Sequence, residues 1–405
     1  MSHPWDLRIL DLGDPVRAAR ELARVGADPA GVGKMRDKTG TLVLKVHGLK
    51  APAANILKQE MLSVGGDAAV GRGVVNCSVE RTDALVFGTR KQLRALVRKL
   101  KPQPFGLRSL SAEVQRVIAV EPPPVVLRWY GGALPLEQGP LVMGVLNVTP
   151  DSFSDGGDYR EPARAAARAL EMVEEGADLL DIGGESSRPG SDPVSEEEEL
   201  HRVLPLVEQL ASRVSVPISV DTCRSGVARR VVAAGAALVN DISGFRADAG
   251  MVRAVADSGA AAVVMHMRGT PKTMQADTRY GDLLGEVWRG LRESLELGAA
   301  AGIPRERLVV DPGIGFGKSA AANLLLLQRL GEFATLGCAV MVGASRKAFI
   351  GKTLGIDDPR DRLEGSLAAA TLAVWNGAQI VRAHDVRATR RAVDLAWAVR
   401  RAEEE

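Results

Sequence analysis

The residues of this chain best suited to chemistry stand at the ends of short apolar runs. Asn147, Asp181, Asp221, Asn240 with Asp241, His266, Asp311, Ser345 to Lys347, and Arg382 with His384 each close one. Asp221, Asn240 and Asp311 offer carboxylates and an amide that suit a flat heterocycle with amino, ring N–H and carbonyl edges, and burial in a dry pocket makes such pairing selective. Lys318, Lys347, Arg382 and His384 form a cationic set suited to an oxyanion or a diphosphate. The two sets together describe a site for a polar heterocycle with an anionic tail. Asp, Asn and Ser also favour helix N-caps, so each residue alone could be a cap; eight run ends alike are not explained that way.

The elements that must position these residues follow from the runs themselves. Leu141–Asn147, Leu179–Gly183, Val216–Asp221, Ala237–Asp241, Ala261–His266, Leu308–Asp311, Ala339–Gly343 and Gln379–Arg382 read as eight strands. They alternate with longer Ala/Leu/Arg/Glu segments of helical period, the pattern of βα units on a parallel sheet. Four of these segments run into glycine just before the next strand, at Gly176, Gly235, Gly259 and Gly377, where a left-handed C-cap turns a helix back. Eight parallel units over about 270 residues fit a (β/α)8 TIM barrel better than an open doubly wound sheet. In a barrel all eight polar ends share the C-terminal rim, where loops build an active site.

Three sharper motifs fail or stay open. Gly313 to Ser319 looks like a phosphate loop but is one residue short of the required spacing, with Pro312 in place of the first glycine, and Arg346 spoils the match before Gly351-Lys352-Thr353. A nucleotide-hydrolase reading is therefore rejected, and a glycine-rich loop ending in Lys318 remains as an anion contact. Cys223, two residues past Asp221, lacks a neighbouring signature that would activate it as a nucleophile. The segments Pro150–Tyr159 and Ser186–Ser195 are rich in Gly, Ser, Asp and Pro yet carry Phe153 and Arg188, as loops that close over substrate do.

The chain has 405 residues, 46% hydrophobic and 25% charged, and net charge +2, ordinary for a soluble globular protein. Cys77, Cys223 and Cys338 form no CxxC pair, which argues against a disulfide framework and a zinc site and fits a reducing cytoplasm. The first ten residues lack the apolar core of a signal peptide, and no apolar run reaches the ~20 residues of a membrane span. Glu121-Pro122-Pro123-Pro124 reads as a linker, giving a smaller N-terminal α/β domain over 1–122 and the barrel over 123–405. In the first part Asp14 could cap a helix through Arg24, Leu42–Val46 and Val74–Val79 read as strands, and Pro52–Leu62 and Arg90–Leu100 as helices. The cluster from Gly65 to Gly73 reads as a turn. Residues 1–125 carry 20 basic and 12 acidic side chains. The densest basic stretch, Arg90 to Lys101, is interleaved with Leu93, Leu96 and Val97, so a solvated amphipathic face explains it without nucleic acid.

Residues 126–405 resemble dihydropteroate synthase. The resemblance rests on Asn147-Val-Thr-Pro-Asp-Ser-Phe-Ser-Asp-Gly-Gly157, Asp181-Ile-Gly-Gly-Glu-Ser-Ser-Arg-Pro-Gly190, Ser219-Val-Asp-Thr222, Val239-Asn-Asp-Ile-Ser243, Asp311-Pro-Gly-Ile-Gly-Phe-Gly-Lys318, Ser345-Arg-Lys347 and Arg382-Ala-His-Asp-Val386. It implies condensation of 6-hydroxymethyl-7,8-dihydropterin diphosphate with p-aminobenzoate to give 7,8-dihydropteroate and diphosphate, in folate biosynthesis. It also implies roles. Asn147 would contact Mg²⁺; Asp221, Asn240, Asp311 and Lys347 would hold the pterin; Arg382 and His384, with Asn147, would hold the diphosphate. Phe316 and Lys347 would flank p-aminobenzoate, with Phe153, Asp155, Ser187 and Arg188 on loops completing its pocket. Ser345 and Lys318 join the substrate-binding set, and Lys347, Arg382, His384 and Asp311 are the catalytic candidates. Ser187 and Ala383 depart from the usual Thr and Val, and neither change removes a reacting group. The N-terminal part looks like the extension of longer family members, and family members commonly form homodimers. The competing readings are a pterin-barrel methyltransferase, against which the cations speak, and a pterin-binding scaffold without activity.

Overall fold

The structure, a computed structural model, describes residues 10, 12–119, 126–148, 161–186 and 191–402. The chain divides into two units, Met1–Val120 and Glu121–Glu405. The linker expected at Glu121–Pro124 lies outside the described residues, as do Phe153, Asp155, Ser187 and Arg188.

The first unit runs α1 (Pro15–Arg24), α2 (Pro29–Arg36), β1 (Thr41–Lys50), α3 (Ala51–Ser63), β2 (Asp67–Val70), β3 (Arg81–Thr89), α4 (Arg90–Leu100) and α5 (Leu107–Ala119). Asp14 caps α1, its Oδ1 accepting from Val16 N at 2.7 Å. The strands form an antiparallel sheet in the order β1-β3-β2, so α3 carries the chain across to leave a gap that β3 fills. Leu57, Met61, Leu93, Leu96 and Leu100 build the core between helices and sheet. The cations of α4 lie on the opposite face, Arg94 paired with Asp37 and Lys99 with Glu60. The strand expected at Val74–Val79 is absent. Residues Arg72–Val74 form a 3₁₀ turn, Asn76 Oδ1 accepts from Ser78 N at 3.2 Å, and Cys77 is left-handed at φ 53°. That local side-chain bond offers the backbone a turn in place of a ladder. The strand of this region is β2, inside the glycine cluster read as a turn.

The second unit opens with the hairpin β4 (Val126–Trp129) and β5 (Gly132–Pro135). Eight parallel strands follow: β6 (Leu141–Asn147), β7 (Leu179–Gly183), β8 (Ile218–Asp221), β9 (Leu238–Asp241), β10 (Ala261–Met265), β11 (Leu308–Asp311), β12 (Ala339–Val342) and β13 (Ile380–Ala383). They close into a barrel as β13 pairs with β6. Each begins and ends within two residues of the run read from the sequence. The outer helices are α6 (Glu161–Glu174), α7 (Glu196–Ala211), α8 (Ser225–Ala233), α9 (Met251–Ser258), α10 (Leu283–Ala300), α11 (Ala320–Gln328), α12 (Ala348–Leu354), α13 (Leu363–Trp375) and α14 (Val386–Arg401). The four glycines expected to turn helices back are left-handed, with φ 97°, 114°, 76° and 102° at Gly176, Gly235, Gly259 and Gly377.

The period of two along each strand sorts the barrel into layers. Val142, Leu180, Val220, Val239, Val310 and Val381 face the helices. Met143, Leu179, Leu238, Val263, Val309 and Ile380 fill the interior together with Leu127 and Leu136 from the hairpin region, which plug the lower end. Two residues further along the inward rows, Asp181, Asn240, Asp311 and Arg382 follow apolar side chains, and Asp221 follows the buried Ser219. An apolar floor with a polar storey above it is what places these groups in a low-dielectric mouth.

Candidate active site

Strand register sets one level of the mouth. Asn147 pairs with Gly183, Gly183 with Asp221, and Asp221 with Asn240. One storey below, Asp181 is fully buried and organises its neighbours. Its Oδ2 accepts from Arg382 Nε at 2.6 Å and from Asn240 Nδ2 at 3.0 Å. Arg382 Nη2 also donates to Asp221 Oδ2 at 3.1 Å. Because Asn240 donates one N–H of its Nδ2 to Asp181, its amide orientation is set, and its oxygen and second N–H are left for a ligand. Burial pushes the Asp221 carboxyl up to about 7, against the pull of Arg382 and helped by Asp181. Arg382 is raised, burial being outweighed by Asp181 and Asp221. Asp181 Oδ1 and Ser219 Oγ, on register-paired residues, are sealed without a partner among the described residues.

The strands β10 to β12 build the other side. Asp311 is buried and raised by desolvation, opposed first by Lys347 and then by the Gly313 N–H, which donates to its Oδ1 at 2.7 Å. Lys347 follows β12, its Nζ donating to Ile314 O and lying 4.5 Å from the centre of the Phe316 ring. Burial lowers its ammonium to about 8, with Asp311 opposing. The preceding residue, Arg346, is left-handed at φ 60°, a conformation costly for a side-chain-bearing residue. It is held there by a two-pronged pair with Asp385 (2.9 and 2.5 Å) and by Ser366 Oγ on its N–H (2.9 Å). The turn thereby aims Ser345 and Lys347. Ser345 Oγ accepts from His384 N at 3.3 Å and meets His384 Nδ1 at 3.0 Å.

A pterin-binding enzyme family model matches residues 143–384, a stretch that holds seven of the barrel strands whole and the eighth, β6, from its third residue. The chain belongs to the dihydropteroate synthase family of pterin-binding enzymes. The dihydropteroate synthase of Escherichia coli is 46% identical over 265 residues, 65% of this chain and 93% of that protein. A probable bifunctional folylpolyglutamate synthase/dihydropteroate synthase of Halobacterium salinarum is 41% identical over 394 residues, 96% of this chain and 46% of that protein. The chain thus spans less than half the length of its archaeal relative. A structure of the Xanthomonas albilineans dihydropteroate synthase with 4-aminobenzoic acid superposes with TM-score 0.65 at 46% identity, covering 69% of this chain and 99% of that one.

Set beside the family's motifs, the site keeps most of the expected residues together and changes the character of two. Asp221, Asn240, Asp311, Phe316, Lys347 and Arg382 line one mouth. Burial, then Arg382, lowers His384 to about 4, which favours the neutral, hydrogen-bonding ring in the ligand-free site. Lys318 is turned toward its own chain. It is 3% exposed, and its Nζ meets Phe316 O at 2.9 Å, His266 O at 3.1 Å and His266 Nδ1 at 3.2 Å. Burial lowers it to about 7, and burial with the Lys318 charge lowers His266 to about 3. Which of these cations are buried against their own chain is not visible in the sequence. Cys223 is pushed well above the ordinary thiol range by burial, beside Asp241, which makes it a poor nucleophile. Asp241 itself accepts from Ser243 N, Ser243 Oγ and Phe245 N and shapes the loop after β9. The segment carrying Ser187 and Arg188 starts beside Glu185 and ends before Val194, and Arg224 reaches both, at 2.6 Å from Glu185 Oε2 and from Val194 O.

Proposed function

We propose that this chain condenses 6-hydroxymethyl-7,8-dihydropterin diphosphate with p-aminobenzoate, forming 7,8-dihydropteroate and releasing diphosphate. The observation that carries the reading is one mouth holding both halves of a recognition pattern, Asp221, Asn240 and Asp311 beside Lys347 and Arg382. The E. coli and X. albilineans relatives, which this barrel matches over nearly their whole length, carry that activity in their names.

The reaction breaks the bond from the pterin methylene to the diphosphate oxygen and makes one from that carbon to the aryl nitrogen, which then loses a proton. Asp221 and Asp311 accept from the amino and N–H edges of the ring, and Asn240 adds its oxygen. As the methylene becomes cation-like, Lys347 and Arg382 receive the charge developing on the leaving group, and His384 adds a neutral hydrogen bond. Phe316 and Lys347 present the neutral arylamine to the carbon, so that rate comes from positioning and electrostatics without a covalent nucleophile. Asn147 fits a weakly held Mg²⁺. Its amide oxygen stands beside side-chain-free Gly183, 3.5 Å from where a Cβ would lie, and a single hard oxygen suits an octahedral ion that keeps water and phosphate ligands. When bound, that ion supplies charge neutralisation to the diphosphate. Phe153, Asp155, Ser187 and Arg188 are proposed to complete the aryl pocket.

Association into a homodimer is proposed through α13 and α14, where Leu372, Trp375, Leu395 and Val399 are about half exposed or more. Diphosphate release dependent on p-aminobenzoate is the deciding measurement. A folded protein with Mg²⁺ that releases none refutes the reading, and corrinoid-dependent methyl transfer would replace it.

A further inference from the structure

The loop that presents Phe316 is held in an unusual way. Four successive carbonyls each accept from a different side chain: Ile314 O from Lys347 Nζ, Gly315 O from Gln275 Nε2 (3.3 Å), Phe316 O from Lys318 Nζ (2.9 Å) and Gly317 O from Tyr280 Oη (3.0 Å). Its N–H groups are used too, Gly313 on Asp311 Oδ1 and Gly315 on Asn323 Oδ1, both at 2.7 Å. Left-handed Gly313, Gly315 and Gly317 let the backbone take this path. A Cβ at Gly313 would lie 2.0 Å from His266 O, so the loop and the end of β10 interlock.

Two of the four donors come from the segment between β10 and α10, which is itself ordered. Arg268 stacks on the Tyr280 ring at 3.9 Å and donates to Glu286 Oε2 at 2.6 Å. Met274 N bonds Thr270 O at 2.7 Å, and the Met274 side chain packs with Ile242, Met265 and Phe316. Phe316 thus packs in a cluster with Met274, Ile242 and Met265, and the Lys347 ammonium lies over its ring.

We propose that Gln275, Tyr280 and Lys318 are positioning residues of the arylamine subsite, which fix Phe316 against Lys347 by holding the loop carbonyls, and that Lys318 binds no anion. This rests on the proposed condensation. A backbone fully committed to side-chain donors is a preformed platform, and it gives the amine a fixed angle of approach to the pterin methylene. Misplacing such a platform by about 1 Å costs on the order of a hundredfold in rate, and a single lost contact costs less. None of the three side chains needs to touch either substrate for this effect.

The test compares Tyr280→Phe and Lys318→Met with the wild-type full chain in Mg²⁺. Both variants should raise KM for p-aminobenzoate about tenfold, while KM for the pterin diphosphate and inhibition by inorganic diphosphate move less than twofold. Loss of diphosphate inhibition in Lys318→Met would make Lys318 an anion ligand and overturn the proposal. Equal losses for both substrates, or no change, would overturn it as well. If Lys318→Met does not fold, Tyr280→Phe, which removes one hydroxyl, decides alone. A wild-type chain without p-aminobenzoate-dependent release refutes the condensation and the proposal with it; an active wild type with indifferent variants refutes the proposal only.

Discussion

The two sides of the mouth hold their shape by different physics. On the Arg382 side, charge balances charge: one guanidinium spans Asp181 and Asp221, and Asp181 also fixes Asn240. On the Phe316 side, side-chain donors balance backbone carbonyls, and the ammonium of Lys318 can shed its proton when burial demands it. An arginine has no such exit. Removing a partner should therefore be far more damaging on the first side. Arg382→Met leaves Asp181 as an uncompensated buried carboxylate and is expected to cost about 3 kcal/mol or more of stability, with turnover lost. Lys318→Met leaves two or three unsatisfied acceptors and should cost ~1–2 kcal/mol. Denaturant melts of both variants at neutral pH check this, and equal costs would erase the distinction between the sides.

A second variant sharpens the comparison at Asp311, which sits where the two sides meet. Asp311→Asn keeps the shape and removes the charge that faces Lys347. It turns one of the two carboxylate oxygens into an NH2 group, which sets a donor against the Gly313 N–H or the pterin donors that the carboxylate would accept from. KM for the pterin diphosphate should rise about a hundredfold, with the melt little changed because burial disfavours the charged form already. Near-normal turnover would remove Asp311 from the pterin contacts.

The barrel was legible because each strand is a short apolar run ended by polar residues, and four of the eight follow a helix with a glycine stop. That pattern is local, so Asp221, Asn240, Asp311, Lys347 and Arg382 could be placed on one rim from the sequence. What Asp181 does was not legible, since its partners lie 59 and 201 positions away. Gln275 and Tyr280 gave no signal for the same reason, as both act on carbonyls 40 and 37 residues further on. The charge states of Lys318 and His384 depend on burial, which residue type does not reveal. In the first unit, the three valines at 74, 75 and 79 imitate a strand that Asn76 and the left-handed Cys77 exclude. The hairpin β4–β5 escaped notice because two four-residue strands carry too little periodicity to stand out.

The smallest expected effect is a matter of pH, and it again separates the two sides. Asp221 titrates at about 7 and Lys347 at about 8, both moved by burial toward their neutral forms. For a carboxyl raised above its ordinary value, the ionised form that accepts from the pterin is present above about 7 and is lost as pH falls. For an ammonium lowered below its ordinary value, the charged form that receives the leaving group is present below about 8 and is lost as pH rises. Turnover per KM for the pterin diphosphate should therefore peak between about 7 and 8 and fall up to about tenfold per unit on either flank. Asp221→Asn should lower the maximum and flatten the acid limb while leaving the alkaline limb in place. Stability carries the opposite sign on the acid side. The ionised Asp221 costs the fold nothing near pH 4 and its full burial penalty above about 7. The melting temperature of Asp221→Asn relative to wild type should thus rise with pH across that window, by a few degrees. An acid limb that survives this substitution would assign it to the substrate's own diphosphate and leave the Arg382 side without a titrating member.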